Sequence, residues 1–175
     1  AYAKVEGFAF LPITSFTSAI TTFVGQNLGA EEFDRAKKGA RFGILCSLLI
    51  AEGIGVITYV FSPVFIGAFC DSQAAIAFGV DKAHICALFF CLLAATHCLS
   101  AVLRGAGRAM VPMVVMLSVW CVLRVSILWI AVPITQSINT VNWVYPITWS
   151  ISTVVLLIYY HKSDWLHRFQ REKAK

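Results

Sequence analysis

The chain has 175 residues, of which 59% are apolar and 13% are charged, with a mean hydropathy of +0.78 and a net charge of +5. Soluble proteins contain about 45–50% apolar residues, so this composition excludes an ordinary soluble domain and indicates an integral membrane protein. The positive charge collects between apolar stretches, where membrane topology accounts for it. It therefore does not indicate a nucleic-acid partner.

The apolar residues form five stretches of about 18–22 residues, each long enough to cross a hydrocarbon core of about 30 Å as a helix. We predict an all-α membrane bundle over residues 1–161, with spans at about 7–28, 44–65, 83–103, 111–132 and 143–160. Residues 162–175 follow as a basic cytoplasmic tail. In that tail Trp165, Leu166 and Phe169 lie among Lys and Arg residues, which predicts a short amphipathic helix on the membrane surface.

Most Lys and Arg residues fall in every second connection between these stretches, and the opposite gaps hold only Lys4 and Lys82. The richer connections hold Arg35, Lys37, Lys38 and Arg41, then Arg104 and Arg108, then the tail from Lys162 onward. Because cytoplasmic loops collect Lys and Arg, we predict a multi-pass cell-membrane protein with its N-terminal end outside and its C-terminus in the cytoplasm. The odd number of spans and the abrupt start, without a Met or a signal peptide, predict that further residues precede this segment.

The first span carries hydroxyl residues on one helical face, at Thr14, Ser18 and Thr21, followed by Gly25. Such a face is either a packing seam or the wall of a watery cavity, and hydroxyls also bond back to their own helix. We take Thr14, Ser18 and Thr21 as candidate substrate-cavity residues. Glu6, near the outer edge of the same span, is a candidate for substrate or cation contact.

The second span carries small residues at intervals of four: Gly39, Gly43, Ser47, Ala51 and Gly55. Lipid supplies no hydrophobic drive between helices, so close packing along small residues must supply it. This ridge therefore predicts a structural seam.

Two charged residues lie within predicted spans, where each costs about 2.5–3.5 kcal/mol at mid-helix. Glu52 is near the middle of the second span, and Arg124 is a little outward of the centre of the fourth. One interpretation joins Glu52 and Arg124 as a structural ion pair between helices. Another makes Glu52, like Glu6, a protonatable or cation-binding carboxylate.

The third span contains His84, His97, Cys91 and Cys98, but no spacing matches a closed zinc site. Neither a nucleophile–base arrangement nor a phosphate-binding loop is present in the sequence. We therefore predict no metal site, no cofactor and no enzymatic activity.

Aromatic residues are placed as in a membrane interface. Trp143, Tyr145 and Trp149 gather at the outer end of the fifth span. Phe8, Phe16 and Trp120 lie within spans, where they could stack on a flat cationic ligand or pack against core and lipid.

Two segments resemble multidrug and toxic compound extrusion (MATE) transporters, and the similarity follows the whole chain in order. The first segment contains Gly25, Gln26, Asn27 and Gly29, and the second contains Arg104, Gly105, Gly107 and Pro112. The glycines permit close helix approach and tight turns, while the two amides can cap exposed backbone groups. These motifs therefore mark architecture more than substrate.

The resemblance implies that the chain is the incomplete second six-helix lobe of a two-lobe transporter, with the missing N-terminal lobe as its partner. It also implies antiport: export of small organic, often cationic, compounds across the lipid bilayer in exchange for sodium ions or protons. Some family members place coupling acids in the helix that corresponds to the third span, which has no Asp or Glu between Lys82 and Arg104. Two alternatives remain, namely a lipid-linked carrier flippase, which would need a cavity rich in Arg and Lys, and a non-transporting membrane scaffold.

Overall fold

The structure is a computed structural model that describes residues 2–69, 72–163 and 165–166. These residues form helices and short connections, and no strand occurs among them. The helices are α1 (Tyr2–Gly29), α2 (Phe33–Gly67), α3 (Gln73–Ala87), α4 (Phe90–Gly105), α5 (Met110–Met116), a π-helical segment (Leu117–Leu123), α6 (Arg124–Thr135) and α7 (Ile138–Lys162). The predicted all-α membrane fold is confirmed.

Four helical stretches are long and apolar enough to cross a membrane: α1, α2, α7 and the continuous stretch Met110–Thr135. The third predicted span is not the straight helix expected over 83–103. It consists of α3 and α4, which meet at an angle of 56° around Leu88 and Phe89. With this bent pair taken as one span, the structure has the five spans that were predicted.

The helix ends define two ends of the bundle. At the first end α1 begins, α2 ends and α7 begins; at the second end α1 ends, α2 begins and α7 ends. Lys37 and Arg41 lie on α2 itself, because this helix starts at Phe33, well before the predicted start of its span.

α4 lies at the centre of the bundle, in contact with α1, α2 and α7. Its buried residues include Ala94, Cys98 and Ala101, small enough to let three helices approach. By contrast, α6 buries no residue. The Met110–Thr135 stretch therefore forms one side of the bundle, and α4 forms its core.

The small-residue ridge of α2 is a packing seam, as predicted. Ser47, Ala51 and Gly55 are buried, and Gly55 lies against the Ala87 backbone carbonyl, where α3 ends. On the same ridge Gly43 lies against Ile20 of α1.

Two expectations about aromatic residues are wrong. Trp149 is 2% exposed and belongs to the core rather than to an interface belt. Trp165 is 5% exposed and stacks on Tyr160 with ring centroids 5.5 Å apart, so it packs into a core cluster rather than presenting an exposed apolar face. Residues 165–166 form a turn, and the rest of the predicted tail helix, including Phe169, falls outside the described residues.

Candidate functional site

A cavity of about 290 Å³ lies toward the first end of the bundle. Its walls come from α1, α4, α7, the π-helical segment and the start of α6. It is lined by Ala3, Glu6, Gly7, Phe10, Leu93, Trp120, Arg124, Tyr145 and Trp149. The cavity thus combines one acid, one base and four aromatic rings.

The guanidinium of Arg124 is held by α7. Its Nε and Nη2 atoms donate to the Thr148 hydroxyl at 3.2 Å and 2.6 Å. The group also lies 4.6 Å from the Tyr145 ring centroid and 5.2 Å from that of Trp120, in the range of cation–π attraction. A buried hydroxyl and two rings therefore fix this charge inside the membrane.

The π-helical segment places Trp120 and Arg124 relative to these partners. Trp120 lies within the segment and Arg124 follows it directly. A π-turn holds more residues than an α-turn, so it rotates the side chains that follow it, and such turns are frequent at functional sites. The Trp120 indole N–H donates to Ser152 on α7 at 2.8 Å, which fixes the ring.

Glu6 reaches the cavity from α1 and is half-buried. Its charge interacts with those of Lys82 and Arg124, but no direct ion pair joins it to either of them. The carboxylate and the guanidinium therefore line one cavity without forming a direct ion pair.

Lys82 of α3 extends the charged region beyond the cavity wall. Its ammonium group lies 4.0 Å from the Tyr145 ring centroid and 4.8 Å from that of Tyr2. The Tyr145 ring therefore contacts two cations, Lys82 and Arg124. Sequence reasoning missed this arrangement, because it assigned Tyr145 to an interface belt and Lys82 to a loop.

His97 of α4 packs behind the cavity, between Phe10 and Trp120. The ring centroids are 4.9 Å and 5.4 Å apart, and both contacts are edge-to-face. Its Nε2 atom is buried and has no hydrogen-bond partner among the described residues. Of the three aromatic candidates from the sequence, only Trp120 lines the cavity.

The predicted hydroxyl face of α1 does not join Glu6 in this cavity. Thr14 donates to the Leu11 carbonyl at 2.8 Å, and Thr21 donates to the Thr17 carbonyl at 2.8 Å and to Ala101 of α4 at 3.2 Å. Hydroxyls in helices commonly satisfy themselves in this way. Ser18 is exposed on the same helix.

Glu52 and Arg124 do not form the predicted ion pair. Glu52 instead accepts a hydrogen bond from the backbone N–H of Cys91, with 3.3 Å between N and Oε2. Cys91 lies in the first turn of α4, where backbone N–H groups lack helical partners and favour a negative charge. Glu52 therefore caps the start of a neighbouring helix, and this geometry favours a structural role.

The two glycine motifs meet at the second end of the bundle, where α1 crosses α4. A Cβ atom on Gly105 would lie 2.7 Å from the Thr21 carbonyl oxygen, and one on Gly25 would lie 3.4 Å from the Gly105 carbonyl oxygen. Only glycine permits this approach at Gly105. Gly107 has φ +76° in the following turn, a conformation that also favours glycine.

The other motif residues lie close to helix ends. The Asn27 side-chain amide donates to the Phe23 carbonyl at 2.7 Å, inside α1 rather than at its end, so this bond is not the predicted cap of an exposed backbone group. Pro112 is buried in the first turn of α5, where its missing N–H costs little. Gln26, Gly29 and Arg104 are exposed or have open space around them.

Within the described part of the chain, no three His, Cys, Asp or Glu side chains converge as metal ligands would. The absence of a metal site and of a cofactor stays a prediction.

Comparison with known proteins gives consistent relatives. Residues 2–130 match the protein family described as MatE. The chain is 26% identical over 159 residues to "Probable multidrug resistance protein YoeA" of Bacillus subtilis (strain 168), covering 90% of this chain and 34% of that protein. It is 30% identical over 118 residues to "Probable multidrug resistance protein NorM" of Thermotoga maritima, covering 67% of this chain and 25% of that protein.

A solved structure shows the same fold. The chain superposes on "MATE transporter ClbM in complex with Rb+" with a TM-score of 0.86 at 19% identity, covering 98% of this chain and 40% of that one. The chain thus spans about a third or less of the length of the two curated relatives that it matches.

Proposed function

Because this chain belongs to the MATE family, a family of membrane transporters, we propose that it forms part of a secondary active antiporter that exports organic, often cationic, compounds. Export would be driven by the entry of sodium ions or protons. The names of the two curated relatives, as probable multidrug resistance proteins, support an export role.

The observation that carries the proposal is the shared cavity of Glu6 and Arg124. Ionisable residues inside a membrane span are costly and commonly mark ion and substrate pathways. The rings of Phe10 and Trp120 line the same space and offer aromatic surface to an organic cation. A volume of about 290 Å³ is at the small end for ligand pockets, so the cavity would hold an ion or one part of a larger compound.

Competition for the Glu6 carboxylate supplies a coupling mechanism. Arg124 and Lys82 attract this carboxylate without pairing with it. A proton or sodium ion that binds Glu6 weakens this attraction, and an organic cation competes for the same group. Binding of the driving ion and binding of the substrate would therefore exclude each other, as antiport requires.

The exposed side of α1 would complete the pathway in the longer protein. We propose that the surface around Ser18 and Thr14 faces a second, N-terminal lobe. Alternating access would then come from one lobe rocking against the other, as in other transporters built from two repeats.

The test is transport by the full-length protein in proteoliposomes, with ethidium as a model organic cation and imposed sodium or pH gradients. Glu6→Gln removes the charge at constant size, and we expect it to lower transport at least about tenfold, as expected for the loss of an ionisable group from an ion pathway. Glu32→Gln is the matched control, because Glu32 is exposed in the α1–α2 connection. Comparing the two gradients identifies the coupling ion.

Wild-type transport by the Glu6→Gln variant would remove Glu6 from the mechanism. Movement of lipid-linked substrates without movement of ethidium would favour the flippase alternative. Failure to move either kind of compound in well-folded protein would favour the scaffold.

Orientation is tested separately, by cysteine labelling. With the six native cysteines replaced by Ser, a Lys37→Cys variant should react with a membrane-impermeant maleimide only after the cells are opened, because we place the second end of the bundle in the cytoplasm. Rapid labelling of intact cells would reverse the topology. A cysteine at Ser137, in the exposed α6–α7 connection at the first end, should give the opposite result.

A further inference from the structure

A second pocket, of about 200 Å³, lies at the second end of the bundle. It is formed where the beginning of α2 approaches the end of α7. Its walls include Lys37, Arg41, Tyr160, His161, Ser163 and Trp165. Nothing in the proposed export mechanism uses this pocket.

The floor of the pocket is well packed. Trp165 is buried and stacks on Tyr160, and it belongs to a core cluster with Ala36 and Ala40 of α2. The turn that carries it is fixed by backbone hydrogen bonds from Ser163 N–H to Tyr159 and from Trp165 N–H to Ser163, of 2.8 Å and 2.9 Å. The pocket is therefore a defined part of the fold.

The charges at the pocket are all of one sign among the described residues. Lys37 and Arg41 are one helical turn apart on the same face of α2. The Arg41 guanidinium lies close enough to the Tyr160 hydroxyl for the two groups to interact electrostatically, and both residues line the pocket. Among the described lining residues, Lys37 and Arg41 are the cations and none is Asp or Glu, so this part of the pocket favours an anion.

A buried hydroxyl of this pocket has no partner. The Ser163 Oγ atom is inaccessible to solvent and makes no hydrogen bond within the described residues. Buried polar atoms are almost always hydrogen-bonded in native structures. A ligand oxygen in the pocket would supply the missing acceptor.

We propose that this pocket binds the phosphodiester headgroup of an anionic membrane lipid. The phosphate oxygens would lie between Lys37 and Arg41, and Ser163 would donate to one of them. Basic pockets between helices at the cytoplasmic face commonly bind such headgroups.

A lipid fits the surroundings better than free phosphate. One turn deeper from Arg41 on the same face of α2 lies Leu45, which is 55% exposed. One turn deeper from His161 on α7 lies Leu157, which is 39% exposed. The basic pocket therefore borders two exposed apolar surfaces, one on α2 and one on α7, along which acyl chains can lie.

The test is native mass spectrometry of the purified full-length protein with dioleoylphosphatidylglycerol and dioleoylphosphatidylcholine. We expect the wild type to retain the anionic lipid preferentially, and the K37Q/R41Q double variant to lose that preference about tenfold. The matched control is R35Q/K38Q, which removes the same charge from neighbouring α2 positions that do not line the pocket and should keep the preference. S163A should weaken retention by a smaller factor, about twofold to fivefold.

Three results would overturn the proposal. One is unchanged lipid retention by K37Q/R41Q, with thermal melting showing that the variant is folded. Another is an equal loss in R35Q/K38Q, which would reduce the effect to general surface charge. The third is complete displacement of the lipid by excess inorganic phosphate, which would make the site a free-anion site.

Discussion

The two ends of α1 contact the rest of the bundle in different ways. At the second end Gly25 and Gly105 bring α1 and α4 into backbone contact. At the first end Glu6 faces Arg124 across a cavity, with aromatic rings around them. The residues most typical of the family thus build the tight crossing, whereas the ionisable residues lie where packing is loose. Substitutions at the crossing should change stability, and substitutions at the cavity should change transport.

The largest effect is expected at the tight crossing, for Gly105→Ala. The new methyl group would lie 2.7 Å from the Thr21 carbonyl oxygen and 3.0 Å from the Val24 Cβ, and a backbone atom cannot easily move away. Overpacking costs about 1–3 kcal/mol, and we expect the upper end of that range in thermal unfolding of the purified full-length protein. Gly29→Ala is the control, because a Cβ there meets nothing within 4 Å. Equal stability of the two variants would show that the crossing is not tight.

The next effect is expected at the cavity, for Arg124→Gln. Removing the guanidinium deprives Glu6 of its neighbouring cation, and transport should fall at least about tenfold with little change in melting temperature. Arg108→Gln removes the same charge at the second end, where Arg108 bonds to Tyr159, and should leave the transport rate near that of wild type. Thr148→Val keeps the cation but loses its anchor, so an intermediate rate is expected. A wild-type transport rate in the Arg124→Gln variant would show that Arg124 takes no part in the transport mechanism.

A smaller effect is expected for Gly107→Ala, in the turn that follows the crossing. A left-handed conformation costs a residue with a side chain about 1–2 kcal/mol, and Gly107 has φ +76°. Thermal unfolding should show a loss near the lower end of that range. Gly67→Ala, at a position with open space and without a positive φ, is the comparison. A loss of stability as large as that of Gly105→Ala would mean that the new methyl group also clashes with neighbouring atoms, in addition to straining the backbone.

The smallest effect is expected for the buried hydrogen bond between the Thr96 and Thr153 hydroxyls, which joins α4 to α7. The hydroxyls of Thr96 and Thr153 are 2.8 Å apart. Hydrogen bonds between membrane helices average about 0.6 kcal/mol in double-mutant cycles, and a cycle of the two Thr→Val substitutions should return a coupling of that size. Thr135 and Thr140 are 2.7 Å apart but exposed, so the same cycle there should give a coupling near zero. Equal coupling energies in the two cycles would contradict the idea that burial strengthens the Thr96–Thr153 hydrogen bond.

The overall fold could be predicted from sequence because its signals are local. The length of each apolar stretch gives the spans, and the four-residue spacing of Ser47, Ala51 and Gly55 gives the packing seam of α2. The bend between α3 and α4 left no such signal, because neither Leu88 nor Phe89 is a residue that interrupts helices. Its position is set by packing against α2, where Gly55 lies against Ala87.

The candidate cavity could be predicted only in part. Glu6 and Arg124 stood out because charge inside a span is costly. Tyr145 and Trp149 did not, because aromatic residues near a span end are typical of an interface, and only the packing of α7 against α3 and α4 turns these two rings inward. The pairing of Glu52 with Arg124 was wrong because the actual partner of Glu52 is a backbone amide, which every residue except proline possesses and no sequence pattern marks.

The hydrogen bond between Glu52 and Cys91 has a consequence for how such chains are interpreted. Where a helix restarts within the bilayer, its first amide groups have no water to bind, and an acid on an adjacent helix can serve them in place of solvent. A Glu52→Gln variant would keep an oxygen acceptor at this position while losing the charge. An acidic residue in the middle of a hydrophobic segment is then evidence for a discontinuity in the neighbouring helix as much as for a passing ion.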